Sequence, residues 1–340
     1  MLLVTLALAA EPTFEAKPTG SLSPRLTWQA AEEEDTPAFT LLARLGAEAR
    51  ATSLPFRARV EARLMPDLAL EDAFVAWQPA PPVAVFAGQF RVPYSLQALS
   101  AETRRQLPLD APVVEAASFG RDVGLMTALR LPVARKVRAT LDLAVVNGEG
   151  ANTLGNLGGG LAFAARGTVV PLGARERPQE GTSREPYLGV GGGWVRTTGG
   201  GRLGDAEESA VGLDLQAAAG PVSLQAEYLD RAVSDAGGPA AEWSSRGAYG
   251  QLASFIPAPW VDRHLELVVR GGWLSPHLPA DGEADPDATF TFDAGLNLYA
   301  PETAPTFHDL KLQLAYRHVV QLEGEEREDD RADIAAVVKF

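Results

Sequence analysis

Arginine residues recur at alternate positions in several segments of the chain, most clearly in FRARVEARL at residues 56–64. Successive side chains of an extended strand point to opposite faces, so Arg57, Arg59, Glu61 and Arg63 share one face while the other face is apolar. Each guanidinium group presents a planar fork of donors that binds carboxylate or phosphate groups. Because neighbours on one face are about 6.6 Å apart, a row of such groups can pass an anion from one fork to the next. This spacing fits an anion path, and ion pairs that brace the wall are the alternative.

The elements that would position these arginines are strands. The same alternation of apolar and polar residues recurs in about sixteen segments of roughly ten residues, which is typical of a transmembrane antiparallel β-barrel. We therefore predict an all-β fold, a closed barrel with apolar faces in lipid and polar faces around water. The predicted strands lie near residues 22–30, 39–50, 55–64, 69–78, 83–92, 121–131, 136–147, 160–171, 187–196, 209–218, 221–231, 245–256, 262–273, 288–299, 308–320 and 331–340.

The connections between the predicted strands are sorted by length and charge. Those after even-numbered strands are often short and contain proline, and they lie at residues 79–82, 132–135, 220–221 and 257–260. Those after odd-numbered strands are generally longer and acidic, and they lie at residues 32–35, 205–208, 281–287 and 323–330. This sorting predicts short periplasmic turns and long outer loops. Residues 172–185 form an unusually long periplasmic turn in this scheme.

Both ends of the sequence fit an exported barrel. Residues 1–10, MLLVTLALAA, predict the last part of a secretory signal peptide, with an apolar first strand as the alternative. Residues 11–340 then form the barrel domain. Apolar residues alternate with polar ones from Ala332 to Phe340, and a terminal Phe on such a strand resembles the insertion signal of bacterial outer-membrane barrels.

The composition of the 340 residues excludes several other classes of protein. The absence of cysteine excludes a disulfide scaffold and a cysteine-ligated metal site, and the net charge of −14 argues against nucleic-acid binding. The four histidines form no closely spaced ligand pair, and the glycine runs at 158–160 and 189–193 lack the Lys-Ser/Thr of a phosphate loop. We therefore predict no metal, no cofactor and no enzymatic activity. The glycine runs are interpreted as easing curvature or letting a neighbouring subunit pack closely.

Four short motifs occur in order along the chain: GQFRVPYS at 88–95, GRDVG at 120–124, NGEGAN at 147–152 and GLNLY at 295–299. Together they resemble segments of the phosphate-selective porin O and P family. The resemblance implies a sixteen-stranded barrel in the bacterial outer membrane, surrounded by lipid and assembled as a homotrimer. It further implies that the channel passes small anions, with phosphate as the candidate solute.

If the apolar faces meet lipid, the alternate residues point into the lumen, where roughly sixteen basic groups would face about nine acidic ones. A charge on the lipid face would cost about 2–4 kcal/mol at mid-membrane, so strand parity sorts the charges. The candidate anion path consists of Arg44, Arg57, Arg59, Arg63, Arg91, Arg130, Arg138, Arg166, Arg270 and Arg317. The alternative for each arginine is an ion pair with a lumenal acid that braces the wall.

The connection at residues 93–120 is the longest of all, and loops of this length are usually functional. Its segment LQALSAETRRQL at 96–107 predicts a short amphipathic helix. We expect the connection to fold inward and narrow the pore, which would place Arg104 and Arg105 at the constriction. An external lid or a subunit contact is the alternative.

These patterns lead to one leading hypothesis and three alternatives. The leading hypothesis is a passive outer-membrane porin that admits small anions and needs no cofactor. The alternatives are a non-selective diffusion porin, a plugged barrel with a structural or adhesive role, and a soluble secreted β-protein.

Overall fold

In the computed structural model, the described residues form sixteen antiparallel strands in one closed barrel, in which each strand pairs with its sequence neighbours and the first pairs with the last. The predicted all-β transmembrane barrel is confirmed. The structure describes residues 13–30, 36–134, 137–156, 158–173, 186–199, 206–234, 243–259, 261, 264–279, 288–300, 310–322 and 330–340.

The strands follow the predicted order, and several are longer than predicted. They are β1 (Phe14–Gln29), β2 (Thr36–Ala51), β3 (Phe56–Met65), β4 (Ala69–Ala80), β5 (Val83–Arg91), β6 (Arg121–Ala134), β7 (Val137–Val146), β8 (Ala162–Leu172), β9 (Tyr187–Thr197), β10 (Glu207–Ala219), β11 (Val222–Ser234), β12 (Trp243–Phe255), β13 (Leu265–Pro279), β14 (Thr289–Tyr299), β15 (Leu310–Gln321) and β16 (Arg331–Lys339). Between β5 and β6 lie helix α1 (Leu96–Leu99), a 3-10 helix (Glu102–Arg104) and helix α2 (Pro112–Ala117). No helix in the described part of the chain is long and apolar enough to cross a membrane.

The alternation of the sequence produces two different faces of the wall. In β10, Val211 and Leu213 point outward and are more than half exposed, whereas Gly212, Asp214 and Gln216 point inward and are buried. A register slip of one residue would turn the acidic side chain of Asp214 into lipid, which is unfavourable. The alternation therefore fixes the register of the strand.

The two rims of the barrel differ in the lengths of their connections. At the periplasmic rim, two residues separate β4 from β5 and two separate β10 from β11, whereas residues 92–120 join β5 to β6 at the outer rim. The sorting has exceptions, because the outer connection at 66–68 is short and the periplasmic connections at 173–186, 256–264 and 300–309 are long.

Some predictions concern residues that the structure does not describe. Most of the acidic residues predicted for the outer loops lie outside the described residues. The same is true of the predicted signal segment at 1–10 and of most of the turn at 172–185. These remain predictions.

The connection at 92–120 folds into the barrel and lies against its inner wall. Its residues Tyr94, Val113 and Val114 are buried in one apolar cluster with Val195 and Leu229 of the wall. Helix α2 packs against β11, β12 and β13. The barrel interior therefore contains a packed core rather than water along much of its circumference.

The helix predicted over 96–107 is much shorter in the structure. Helix α1 begins after Ser95, whose hydroxyl accepts a hydrogen bond from the backbone N–H of Ala98. It ends at Ser100, whose hydroxyl and backbone N–H both donate to the carbonyl of Leu96. Serine competes in this way for the bonds that would continue a helix, which explains the early end.

Inward-facing glycines make room for the connection. A Cβ added to Gly193 of β9 would lie 2.5 Å from the carbonyl oxygen of Tyr94. One added to Gly247 of β12 would meet the backbone of Trp273 on β13 first and would lie 3.0 Å from a methyl carbon of Val113. Gly193 belongs to the run at 189–193, which we expected to ease curvature or to contact a neighbouring subunit. Gly193 lets the backbone of the connection approach the wall, a role that the sequence did not indicate.

Candidate functional site

The interior of the barrel has two sides with different contents. The open side is formed by the inward faces of β16 and of β1 to β6, and it borders a cavity of about 940 Å³. The filled side is formed by the inward faces of β8 to β15, which the connection at 92–120 covers. Residues 101–104 of the connection line the cavity and separate the two sides.

Basic side chains outnumber acidic ones around the cavity. Of the described side chains that line it, eight are basic and five are acidic, although the whole chain has a net charge of −14. The basic ones are Lys17, Arg44, Arg50, Arg59, Arg91, Arg104, Arg121 and Lys339, and the acidic ones are Glu15, Glu48, Glu61, Asp72 and Glu102. The charge of the lining is therefore opposite in sign to that of the chain.

Two carboxylates of β4 hold two of these arginines. Nε of Arg44 lies 2.8 Å from Glu71. Arg121 reaches the same carboxylate with Nη2 at 3.1 Å and Asp72 with Nε at 2.8 Å. Glu71 is the extra residue of a β-bulge between β3 and β4. The bulge allows two successive carboxylates to point inward.

The alternation of inward and outward residues did not identify Glu71 and Arg121 as residues of this site. It would place Glu71 on the lipid face beside the inward Asp72, and it left Arg121 unassigned at the start of β6. Two successive charges in an alternating strand were the available signal, because a charge that faces lipid is unfavourable and a bulge lets both charges point inward. For Arg121 the signal was its place opposite Arg91, its cross-strand neighbour.

Arg57 and Arg59 of β3 both point inward. Nη2 of Arg59 lies 2.7 Å from Glu61, and its Nε lies 3.4 Å from Asp72. The guanidinium carbon of Arg57 lies 5.2 Å from the ring centroid of Phe86, which is a cation–π geometry. The structure thus brings together the two arginines that the FRARVEARL pattern assigned to one face.

Arg91, at the end of β5, holds the connection in place. Its Nη1 donates to the carbonyl oxygens of Ala98 at 2.5 Å and Ser100 at 2.8 Å. Among the described residues, no carboxylate lies within 4.0 Å of Arg91. Its charge is therefore not neutralised by an ion pair, unlike the charges of Arg44 and Arg59.

Arg104 and Arg105 point in different directions. Arg104 lines the cavity, whereas Arg105 is buried and pairs with Asp110 of the same connection. The expectation that both lie at the constriction is corrected for Arg105, because the backbone becomes extended once the 3-10 helix ends at Arg104. On the same helix, Glu102 forms an ion pair with Arg44 at 2.9 Å. Burial alone would raise the pKa of Glu102, but Arg44 and Arg105 outweigh it and lower the pKa to about 2.

Three residues of the expected anion path lie near the rims and do not line the cavity. Arg63 pairs with Asp67 in the outer turn at 3.0 Å. Arg130 is half exposed and pairs with Asp142 at 2.9 Å near the periplasmic rim. Arg138 is exposed on β7 and has no hydrogen bond or ion pair within the described residues. These groups belong to the mouths of the barrel.

Arg166, Arg270 and Arg317 were expected along the anion path but lie on the filled side. Arg166 is 2.7 Å from Asp214, and Asp293 is 2.6 Å from Nε of Arg270 and 2.8 Å from Nε of Arg317. Each arginine also donates to a carbonyl of the connection, which covers all three and keeps them out of the cavity. The accepting carbonyls belong to Tyr94, Leu109 and Asp110.

Two wall carboxylates bind the connection directly. Glu227 of β11 accepts hydrogen bonds from the backbone N–H groups of Leu96 at 2.7 Å and Gln97 at 3.2 Å. Glu266 of β13 accepts one from Nε2 of Gln106 at 2.6 Å. These bonds fix the connection at two points along its length.

The fold is similar to that of several solved outer-membrane proteins. A loop-deletion mutant of OmpT, an outer membrane protein of Vibrio cholerae, matches 96% of this chain and 99% of its own with a TM-score of 0.65 and 12% identity. Salmonella typhi OmpF in complex with daunomycin matches 96% of this chain and 97% of its own with a TM-score of 0.63 and 12% identity. An anion-selective porin from Comamonas acidovorans matches 96% of this chain and 100% of its own with a TM-score of 0.61 and 11% identity. At these identities the likeness concerns the fold alone.

No curated protein sequence matches the chain. Residues 36–260, however, match the family described as phosphate-selective porin O and P. The matched range contains most of the open side and the whole connection at 92–120. The chain is therefore an outer-membrane porin and belongs to the phosphate-selective porin O and P family.

Proposed function

We propose that this porin passes small anions by passive diffusion along the open side, with phosphate as the candidate solute. The observation that carries the proposal is the excess of basic side chains around the cavity, eight against five acidic ones. Rings of Arg or Lys are the usual device of anion pores. Within low-dielectric walls, an excess of one charge raises the local concentration of the opposite ion.

The proposed path follows Arg44, Arg59, Arg91 and Arg121 on neighbouring strands. Arg44, Arg59 and Arg121 each form an ion pair with a carboxylate. The negative charge of that partner weakens the attraction of the arginine for a passing anion. Conduction requires binding that is weak enough for the ion to leave. Arg91, which has no carboxylate partner among the described residues, then supplies the strongest attraction along the path.

The proposed channel needs no cofactor and catalyses no reaction, because the flux follows the concentration gradient of the solute. Among the described residues, no group of three His, Asp or Glu side chains could hold a metal ion. We also propose that the barrel assembles as a homotrimer. A trimer form of V. cholerae OmpT, which has a similar fold, supports this assembly.

Planar-bilayer recording of the purified barrel under a KCl gradient tests the proposal. We expect a reversal potential that favours chloride over potassium. A reversal potential that favours potassium would contradict the proposal and would support a porin controlled by its acidic mouths. A barrel that inserts without conducting would support the plugged structural alternative.

A further inference from the structure

An apolar patch lies on the open side, next to the arginines. It consists of Phe74 of β4, Phe86 and Phe90 of β5, and Met126 of β6, all of which line the cavity. Phe74 and Phe86 pack edge to face with ring centroids 5.4 Å apart. The lumen of a membrane barrel is ordinarily polar. An aromatic cluster beside the lumenal water is therefore a feature that small inorganic ions do not require.

The strand register places the apolar patch directly beside guanidinium groups. Arg59 of β3 is the cross-strand neighbour of Phe74, and Phe86 is the cross-strand neighbour of Met126. Neighbouring strands are about 4.8 Å apart, so one small ligand can contact a guanidinium group and the apolar patch at the same time. Arg57 already lies over the ring of Phe86. The arginines of β3 thus lie next to the apolar patch.

The members of the apolar patch differ in their exposure to the cavity. Phe86 and Phe90 are only 6% and 4% exposed and form the base of the patch. Phe74 and Met126 are partly exposed. Leu99 of the connection lines the same cavity. A hydrocarbon group that enters the cavity can therefore contact carbon atoms of both the wall and the connection.

We propose that the open side binds organic anions in which a carboxylate is joined to an aromatic ring or a branched hydrocarbon. The carboxylate lies on the guanidinium groups of Arg59 and Arg91, and the hydrocarbon lies on the apolar patch. The inference rests on the proposed function, because it requires that anions enter the open side. It narrows the solute class, because inorganic phosphate has no part that the apolar patch can bind.

Single-channel recording of the full barrel in planar bilayers tests this inference at constant KCl. The probes are phenylacetate, acetate, inorganic phosphate and the uncharged alcohol 2-phenylethanol. We expect phenylacetate to interrupt the current at about tenfold lower concentration than acetate or phosphate, which corresponds to ring–ring contact of ordinary strength. The alcohol should have no such effect, because it lacks the carboxylate. Equal interruption by phenylacetate and acetate would overturn the inference, as would interruption by the alcohol at the concentration that phenylacetate needs.

Variants locate the binding. Phe74→Ala should remove most of the advantage of phenylacetate over acetate while the effect of acetate is unchanged. Phe292→Ala is the matched control, since Phe292 of β14 points outward and is 47% exposed. Met126→Ala gives a second test if Phe74→Ala does not fold. Arg91→Gln should weaken the binding of both phenylacetate and acetate. An undiminished advantage in Phe74→Ala and Met126→Ala would overturn the inference.

The same recordings separate this inference from the proposed function. A reversal potential that favours chloride, with no preference for phenylacetate, overturns only the inference. A reversal potential that favours potassium overturns the proposed function and the inference together.

Discussion

Arginine–carboxylate ion pairs occur on both the open and the filled side of the barrel, but they have different roles on the two sides. On the filled side, Asp293 is fully buried and holds Arg270 and Arg317, which also donate to the connection. On the open side, Arg59 has two carboxylate partners and still lines the cavity with 28% of its side chain exposed. An inward arginine therefore stabilises the wall where the connection covers it, and it contributes to the proposed anion path where the cavity reaches it.

The two sides should therefore respond differently to the loss of a charge. A buried ion pair that loses one member leaves a charge without water or partner, which costs about 3–5 kcal/mol. A solvated ion pair contributes only about 0–1 kcal/mol. Changes on the filled side should lower the stability, and changes on the open side should alter the selectivity.

The largest expected effect follows from Asp293→Ala on the filled side. It leaves Arg270 and Arg317 buried without their carboxylate, so the free energy of unfolding should fall by about 3–5 kcal/mol. The measurement is denaturant unfolding in lipid vesicles followed by tryptophan fluorescence. The control is Asp142→Ala, which removes the partner of the half-exposed Arg130 and should cost less than about 1 kcal/mol. Equal losses in the two variants would contradict the distinction between the sides.

A smaller effect should follow from Gly193→Ala. This substitution displaces the backbone of the connection and leaves its ion pairs in place. The added Cβ would meet the carbonyl of Tyr94 at 2.5 Å, and relieving such overpacking costs about 1–3 kcal/mol. We expect the single-channel conductance to change and its fluctuations to increase as the connection moves. Gly250→Ala is the matched control, because its added Cβ meets nothing within 4 Å. Identical conductance in the two variants would show that the connection does not set the width of the open side.

Arg91→Gln should lower the anion selectivity, in addition to removing the hydrogen bonds that Arg91 donates to the connection. One unit charge acts on an ion 4 Å away with about 1 kcal/mol in water, so the anion-to-cation permeability ratio should fall about two- to fivefold. The measurement is the reversal potential under a KCl gradient. Arg196→Gln provides the control, since Arg196 points outward at the rim and pairs with Glu207. A ratio that is unchanged in Arg91→Gln would make Arg91 a brace.

The smallest effect concerns the pH dependence of the link between Glu102 and Arg44. The pKa of Glu102 in the folded chain, about 2, lies below its ordinary 4.5. The ionised carboxylate therefore stabilises the folded chain fully above pH 4.5, and this contribution is lost as the pH falls towards 2. Glu102→Gln should be slightly less stable than the wild type at pH 7 and equal to it near pH 2. A stability difference that grows below pH 4 would contradict the direction of the shift. The effect is small because the Glu102 side chain is 38% exposed.

The sequence predicts the wall of this barrel much better than its interior. The alternation in segments such as FRARVEARL has one repeating cause, the contrast between lipid and water, so the strands and the inward position of Arg57 and Arg59 follow from it. The division into an open and a filled side depends on the path of the connection at 92–120. That path is set by individual contacts, such as those of Gly193 with Tyr94, which have no period in the sequence.

The alternation of inward and outward residues does not predict the positions of some adjacent residues. Arg104 lines the cavity and Arg105 is buried against Asp110, although both were expected at the constriction. Glu71 points inward because of a single bulge, which breaks the alternation on which parity depends. Each of these positions was set by a local feature of the backbone.

The absence of cysteine from the chain allows the most direct test of the division into two sides. Ser21 of β1 and Ser223 of β11 point inward and are 7% and 6% exposed. Ser21 lines the cavity, whereas Ser223 accepts a hydrogen bond from Gln106 of the connection. The measurement is the current through Ser21→Cys and Ser223→Cys during treatment with a thiol reagent that carries a sulfonate group. We expect the current to fall in Ser21→Cys and to stay constant in Ser223→Cys. A constant current in Ser21→Cys, or a fall in Ser223→Cys, would contradict the assignment of ion flow to the open side.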